Sequence, residues 1–564
     1  MQIREITIRN FRGIKQLTWR PVGGLVCLIG RGDVGKSTVL DAIELALSPR
    51  SRQLTDTDFL DGDTAQAIEI EISVGELSDE ALQDNRFGHH LRGWQVGGKG
   101  LRDEPQDDDE SIVTVRVMID SALEGEWSLI TDRHDPKTLS PRDRALFGVV
   151  RLGPEIEQHL TWGRYTALSN ATDDRNAARA TLAEAFRAAR DHVATQGLPT
   201  LANVATAVTS EARRLGAYCA VDYRAGFDAQ RTAMSLASVS LHDGEIPVRL
   251  AGLGTRRLTS LAIQRMSIKE GAIVLIDEIE HGLEPHRIRH ALKVLRDSVA
   301  GAIGATGHVF LTTHSPTTLV ELDHSQLAIC RGAAGTLAVH TPGKDVQGLL
   351  RRVPEALLAH RVLVCEGPTE IGVIRGLRDT WNKTQNFPFE AMGAWLADGG
   401  GSKGPATALE LASLGYSIAL FRDSDVALDA AIHAKLVGAG IDIYEWAGGL
   451  ATEERMFKDV STTGMQTLLD IACAAHTEQS VLSQVAHALG IANLASAKIS
   501  DWHSVGKTEQ EIRDAFGSAA KKKEWFKNTT FGERVGAVLG EEVRATPTTP
   551  LAQILSKVEV WLHA

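Results

Sequence analysis

The chain has 564 residues, with 60 Lys+Arg against 72 Asp+Glu and a formal net charge of -12. At ~100–200 residues per domain this length predicts about three domains or two large ones. A composition of 43% hydrophobic and 23% charged residues excludes wholesale disorder, and the acidic balance excludes a wholly basic nucleic-acid coat while leaving room for local basic patches. Five scattered cysteines (Cys27, Cys219, Cys330, Cys365, Cys473) exclude a CxxC zinc ribbon and point to a reducing cytoplasm. The opening MQIREITIRNFRGI lacks the apolar core of a signal peptide, and no stretch approaches the ~20 apolar residues of a membrane span, so no membrane partner is expected.

In chain order, the apolar run Leu25–Ile29 predicts a strand, and Leu40, Ile43, Leu45 and Leu47 predict a helix from Ser37. Between them Gly30-Arg31-Gly32-Asp33-Val34-Gly35-Lys36-Ser37 matches G-x-x-x-x-G-K-[ST] in the strand-to-helix setting that a phosphate loop requires. The backbone amides around Gly30, Asp33 and Gly35 would cradle phosphate, Lys36 would reach the β/γ-phosphates, Ser37 would ligate Mg²⁺, and Thr38 completes the nucleotide-binding set. Ile68, Ile70, Ile72 and Val74, then Val113, Val115 and Val117, alternate with polar residues and predict half-buried strands. The acidic run Asp103 to Glu110 reads as a solvated loop, and the Ala/Arg/Glu-rich stretch from Asn170 to Tyr218 as a helical insertion. Further on, Ala272–Ile276 predicts a buried strand ending in Asp277, suited to a water-mediated hold on Mg²⁺, and Glu278, suited to polarising the attacking water. A strand at Val309–Thr312 leads to His314, which is placed to touch a γ-phosphate.

A second α/β unit begins near Arg361. The strand Val362–Cys365 ends at Glu366, Gly367 turns, Pro368 opens a helix, and Glu370 falls in its first turn. The strand Ile418–Phe421 leads to Asp423 and Asp425, which at period two point the same way. In a parallel sheet both strand ends share an edge, and four carboxylates there suit Mg²⁺ or Mn²⁺. The apolar strand Ile441–Trp446 precedes Thr452-Glu453-Glu454, Lys521 to Lys527 is the most basic and aromatic run, and the chain from about Gly464 reads as mostly helical.

Several of these motifs carry a resemblance. Asp277-Glu278, Gly282-Leu283-Glu284-Pro285 and Thr313-His314-Ser315-Pro316 resemble the Walker B, D-loop and H-loop of ABC-type ATPases, and Ile6 to Gly13 looks like the RecF/SMC branch, whose members work on DNA. Gly252 and Gly254, within Ala251 to Arg256, occupy the place of the signature motif but depart from its Ser-Gly-Gly. The strand-end Glu-Gly followed by Asp-x-Asp resembles the Toprim domain, and an ABC-type ATPase followed by Toprim resembles the OLD (overcoming lysogenization defect) nucleases, including the nuclease subunit of Gabija anti-phage systems. Over nearly the whole chain this implies an α/β protein: ATPase parts at 1–165 and 236–350, a dimerising helical insertion at 166–235, a Toprim nuclease domain at 355–463 and a helical C-terminal region at 464–564. The resemblance also implies a further acidic ligand, Glu454 with Glu453 as rival, and a lysine stabilising the phosphorane charge, Lys527 with Lys523 second. Catalysis would then rest on Glu366, Glu370, Asp423, Asp425, Glu454 and Lys527, with Glu278 serving ATP hydrolysis. The implied activity is ATP-binding, metal-dependent DNA cleavage in phage defence, by a cytoplasmic homodimer or larger oligomer with DNA and a helicase-like protein as partners. The rival readings are an ATP-dependent DNA clamp with a non-catalytic Toprim, and a topoisomerase-like enzyme, which needs a nucleophile among Tyr165, Tyr218, Tyr223, Tyr416 and Tyr444.

Overall fold

The computed structural model describes residues 1–50, 52–95, 100–152, 160–162, 168, 175–196, 199–214, 220–223, 240–267, 271–299, 307–333, 335–344, 346–385 and 387–564. They form two compact units, Met1–Thr7 with Val39–Thr312 and Ile8–Thr38 with Thr313–Ala564.

In the first unit the alternating sequences do what period two dictates. Strand Ile68–Gly75 pairs antiparallel with Asp109–Ile119, Ile68 facing Ile119 and Val74 facing Val113. One face buries Ile68, Ile70, Ile72, Val113, Val115 and Val117, while Arg116 stands opposite Glu71 and donates to it at 2.7 Å. The acidic run expected as a solvated loop is only partly that. Asp109 and Glu110 belong to the strand, because Arg102 and Arg4 take up their charges. A parallel group follows, with Ile273–Ile276 between Val150–Leu152 and His308–Thr312. The insertion contains helices Arg175–Gln196 and Pro199–Arg214. Leu182, Phe186 and Ala189 are half-buried and Ala185 is exposed, whereas residues 215–218 and the side chain of Val193 lie outside the described residues.

The second unit contains the fully buried strand Leu25–Ile29, parallel to Leu327–Ala333 with Leu327 opposite Cys27. It also contains a four-stranded parallel sheet in the order Ala394–Asp398, Arg361–Cys365, Ser417–Phe421, Asp442–Tyr444. Cys365 lies opposite both Asp398 and Phe421, so the ends of three strands fall on one edge. Strands buried on both faces lose their alternation, which is why these read as plain apolar runs. The helices after residue 464 do not form a body of their own. Leu468, Val485, Phe516, Leu539 and Leu555 share one core with Leu363, Ile374 and Phe421 of the sheet unit.

One helix contact positions the carboxylate edge. Helix Pro368–Gln385 meets helix Thr529–Ala545 through Gly372 and Gly532. A Cβ on Gly372 would stand 2.5 Å from the Thr529 carbonyl oxygen and 2.6 Å from Gly532 Cα, so the two backbones touch. Only glycine permits that approach. Glu370 in the first turn of one helix is thereby brought beside the segment leading into the other, which carries Lys527.

Candidate functional site

The phosphate loop has the backbone that its glycines predict. Gly30 and Gly35 have φ of 143° and 100°, and Asp33 is left-handed at 58°. A Cβ on Gly30 would sit 2.5 Å from the Cys330 carbonyl oxygen of the neighbouring strand, so glycine is required there twice over. Lys36 is buried at the start of helix Lys36–Leu47 and its ammonium donates to the carbonyls of Gly30 (3.0 Å) and Arg31 (2.8 Å), which folds it over the loop. Ser37 is exposed and Thr38 half-buried; His314 is exposed too.

In the first unit, Asp277 and Glu278 follow the strand Ile273–Ile276. Asp277 accepts from Thr312 Oγ1 (2.6 Å) and from Arg151 (3.0 Å), which also pairs with Asp41. Glu278 has a φ of 47°, and its amide donates to Thr312 Oγ1 at 2.8 Å. Buried Arg257 donates to the Asp277 and Glu278 carbonyls, both at 2.6 Å, and fixes the turn that aims the two side chains. Gly254 packs on the second turn of this segment, where a Cβ would lie 2.6 Å from the Gly282 carbonyl oxygen, whereas Gly252 faces open space. Arg151 and Arg257 escaped the sequence reading, because a lone arginine has no local signature of the carboxylate or carbonyl it will meet.

The second unit gathers the other motif residues into one cavity of about 490 Å³, lined by Glu366, Glu370, Asp398, Asp423, Asp425, Glu453, Lys521 and Lys527. Glu366 accepts the Asp423 amide at 3.1 Å, which ties one strand end to the next. Glu370 is 7% exposed; its two oxygens accept Thr452 Oγ1 (2.7 Å) and the Gly367 amide (3.1 Å). Burial pushes the Glu370 carboxyl up to about 7. Burial, the hydrogen bond with Asp425 and the Glu366 charge push Asp423 up to about 8. Burial also raises Asp425, but its bonds to Asp423 and to Lys521 outweigh this and hold it below its ordinary value. Burial raises Glu453 as well.

Glu454, the residue favoured from the sequence, and its rival Glu453 take different places. Glu453 and Glu454 are consecutive residues of one helix, so their side chains leave it ~100° apart. Glu453 lines it, while Glu454 accepts the Ala451 amide (2.9 Å) and Lys521 (3.3 Å). Lys521 was not singled out in the sequence, yet it bridges Asp425 (3.1 Å) and Glu454. Lys527 lines the cavity beside its partner Glu524, and Lys523 does not. Trp525 and Phe526, the aromatic residues of this basic run, are both buried and anchor the segment to Phe457. Asp398 was also missed, although its strand ends in Asp-Gly-Gly-Gly, the same acidic strand-end signal as its neighbours.

The residues fit a hard divalent cation. Asp423 Oδ1 is buried and has no hydrogen-bond partner, an acceptor with a lone pair left unused. The donors are all carboxylate oxygens, as Mg²⁺ or Mn²⁺ prefers. Among the described residues no three His, Cys, Asp or Glu side chains stand together as a ligating cluster.

Two stretches match known families: residues 1–134 match "AAA ATPase domain", and residues 228–321 match "AAA domain, putative AbiEii toxin, Type IV TA system". No curated protein matches the chain. Similar solved structures include the SMC head bound to the C-winged-helix domain of ScpA (13% identity, 60% of this chain and 97% of that one, TM-score 0.36). The SMC head domain from Thermotoga maritima is 11% identical over 61% of this chain and 100% of that one, with a TM-score of 0.30. The recombination mediator RecF with ATP is 14% identical over 60% of this chain and 99% of that one, with a TM-score of 0.33. The two matched stretches give the chain an ATPase domain of the AAA type, which implies ATP as its nucleotide. Among the described residues no helix is long and apolar enough to cross a membrane.

Proposed function

We propose that the chain is an ATP-regulated, metal-dependent DNA endonuclease of the OLD type, with a Toprim nuclease centre in its second unit. The observation that carries this is the cavity itself: five motif carboxylates and two lysines converge at the edge of a parallel sheet where such folds place their sites. Glu366, Asp423, Asp425 and Glu453 would hold the cation, and Glu370 keeps the turn after Glu366 in place through the Gly367 amide. When bound, Mg²⁺ supplies charge neutralisation at the phosphate and lowers the pKa of the attacking water. Lys521 and Lys527 bring positive charge to the same cavity, where they attract the DNA backbone and offset charge developing on the phosphate. Glu366 is either a ligand or the base that takes the proton of water.

Lys36, Ser37, Asp277 and Glu278 serve ATP, whose binding alters access to DNA through a difference in affinity between two conformations. The helical insertion serves assembly into a dimer or larger oligomer, and the resemblance gives phage defence as the setting, with a helicase-like partner. Of the tyrosines that a topoisomerase-like reading draws on, Tyr416 is buried with its hydroxyl donating to the Leu357 carbonyl and Tyr223 is exposed, while Tyr165 and Tyr218 lie outside the described residues. Supercoiled plasmid with Mg²⁺ or Mn²⁺ tests the proposal. Nicking or linearisation that Asp425→Asn abolishes supports it; relaxation with closed products, or retardation without cutting, overturns it.

A further inference from the structure

Glu366 and Asp425 line a second cavity as well, of about 460 Å³. Its other walls differ in kind from those of the first. Val426, Leu428 and Ile432 supply apolar surface, and its cation, Arg422, is already engaged by Glu445 (3.2 Å) and by the Val426 carbonyl (2.6 Å). Those bonds, with Ser424 tied to Leu450 and Asp429 capping helix Ala430–Gly438, hold the loop 423–429 in one conformation. Even so, Val426 is 67% and Ile432 38% exposed. Val426 and Ile432 thus give the rim of this cavity apolar surface that a bound ligand would cover.

We propose that this second cavity is the subsite for the sugar and base of the nucleotide next to the scissile phosphate, so that DNA is engaged where that nucleotide is out of the stack. The inference rests on the nuclease reading and deepens it. Charge decides which part of the strand goes where. A phosphate needs cations, and Lys521 and Lys527 line the first cavity, whereas the second is lined by three carboxylates, Glu366, Asp425 and Asp429, and by an arginine already committed. A neutral, flat, partly apolar group is what the second cavity suits. Its volume falls in the range of about 300–1,000 Å³ typical of small-ligand sites, room for a nucleoside and too little for a base-paired duplex. Placing a nucleotide there requires unpairing, which is cheapest at a bulge, mismatch or single-stranded end.

The test compares a short fluorescein-labelled duplex carrying a one-nucleotide bulge with its fully paired counterpart, by anisotropy in EDTA so that nothing is cut. The full-length protein is expected to bind the bulged duplex about tenfold tighter. Val426→Ser combined with Ile432→Ser, both at exposed positions, is expected to bring the ratio near one without weakening binding of the paired duplex. Equal affinity for the two duplexes, or a preference that survives the double variant, overturns the subsite. So does a fall in the variant's oligomeric mass by light scattering with the preference intact, which would assign the patch to a second copy of the chain. Plasmid cutting in Mg²⁺ separates the two levels: cutting without bulge preference removes the subsite alone, and no cutting removes the nuclease reading.

Discussion

Gly372→Ala is a single methyl group whose effect can be worked out in sign and size. The residue lies in helix Pro368–Gln385, two positions after Glu370. Replacing glycine by alanine in a helix ordinarily stabilises by about 1 kcal/mol. Here the new Cβ would stand 2.5 Å from the Thr529 carbonyl oxygen and 2.6 Å from Gly532 Cα, both backbone atoms that no rotamer change can move. Overpacking costs about 1–3 kcal/mol, and a clash against backbone belongs at the upper end. The net expectation is a loss of roughly 2 kcal/mol, with the helices pushed apart and Glu370 drawn away from the Lys527 segment. Gly348→Ala is the matched control, since a Cβ there meets nothing within 4 Å on helix Val346–Arg352. It should gain up to about 1 kcal/mol. Urea denaturation followed by tryptophan fluorescence reads both, because Trp381, Trp446, Trp502 and Trp525 are buried in this unit. If Gly372→Ala proves as stable as the parent, or gains as Gly348→Ala does, the backbone contact is not what holds the two helices.

Glu278→Gln is expected to bind ATP and fail to hydrolyse it, while Lys36→Ala loses tight nucleotide binding; equal turnover by Glu278→Gln and the parent would refute the role given to the carboxylate. Asp425→Asn should stop DNA cleavage in Mg²⁺ yet leave ATP hydrolysis intact, since Asp277 and Glu278 follow a strand of a different sheet. Metal-free protein should lose stability as pH rises. Glu370 at about 7 and Asp423 at about 8 keep protons in the folded state that the unfolded chain releases near pH 4, so melting temperature should fall between about pH 4 and 8 and level off above. Saturating Mg²⁺ should flatten that slope, and a metal-free melting curve insensitive to pH would count against those bound protons.

What the sequence determined by itself was whatever a short window encodes. The phosphate loop was legible because its glycines and Lys36 must be consecutive to wrap one phosphate chain. Glu366, Glu370, Asp423 and Asp425 were legible because each sits a fixed step past an apolar strand, and the hydrophobic period locates strand ends. The choice between Glu453 and Glu454 was not, because adjacent residues share the same window and differ only in which side of a helical turn faces the cavity. Lys521 was lost among three consecutive lysines; only the packing of helix Glu509–Lys522 against helix Thr452–Asp459, where a Cβ on Gly517 would come within 2.8 Å of Glu454 Cα, brings its ammonium to Asp425. The buried Trp525 and Phe526 show the same limit, since an aromatic pair beside lysines reads alike whether it faces DNA or the core. Tertiary structure alone decided these points. Contacts between residues far apart in the chain set the burial and orientation of each side chain, and those set its charge state and its partners.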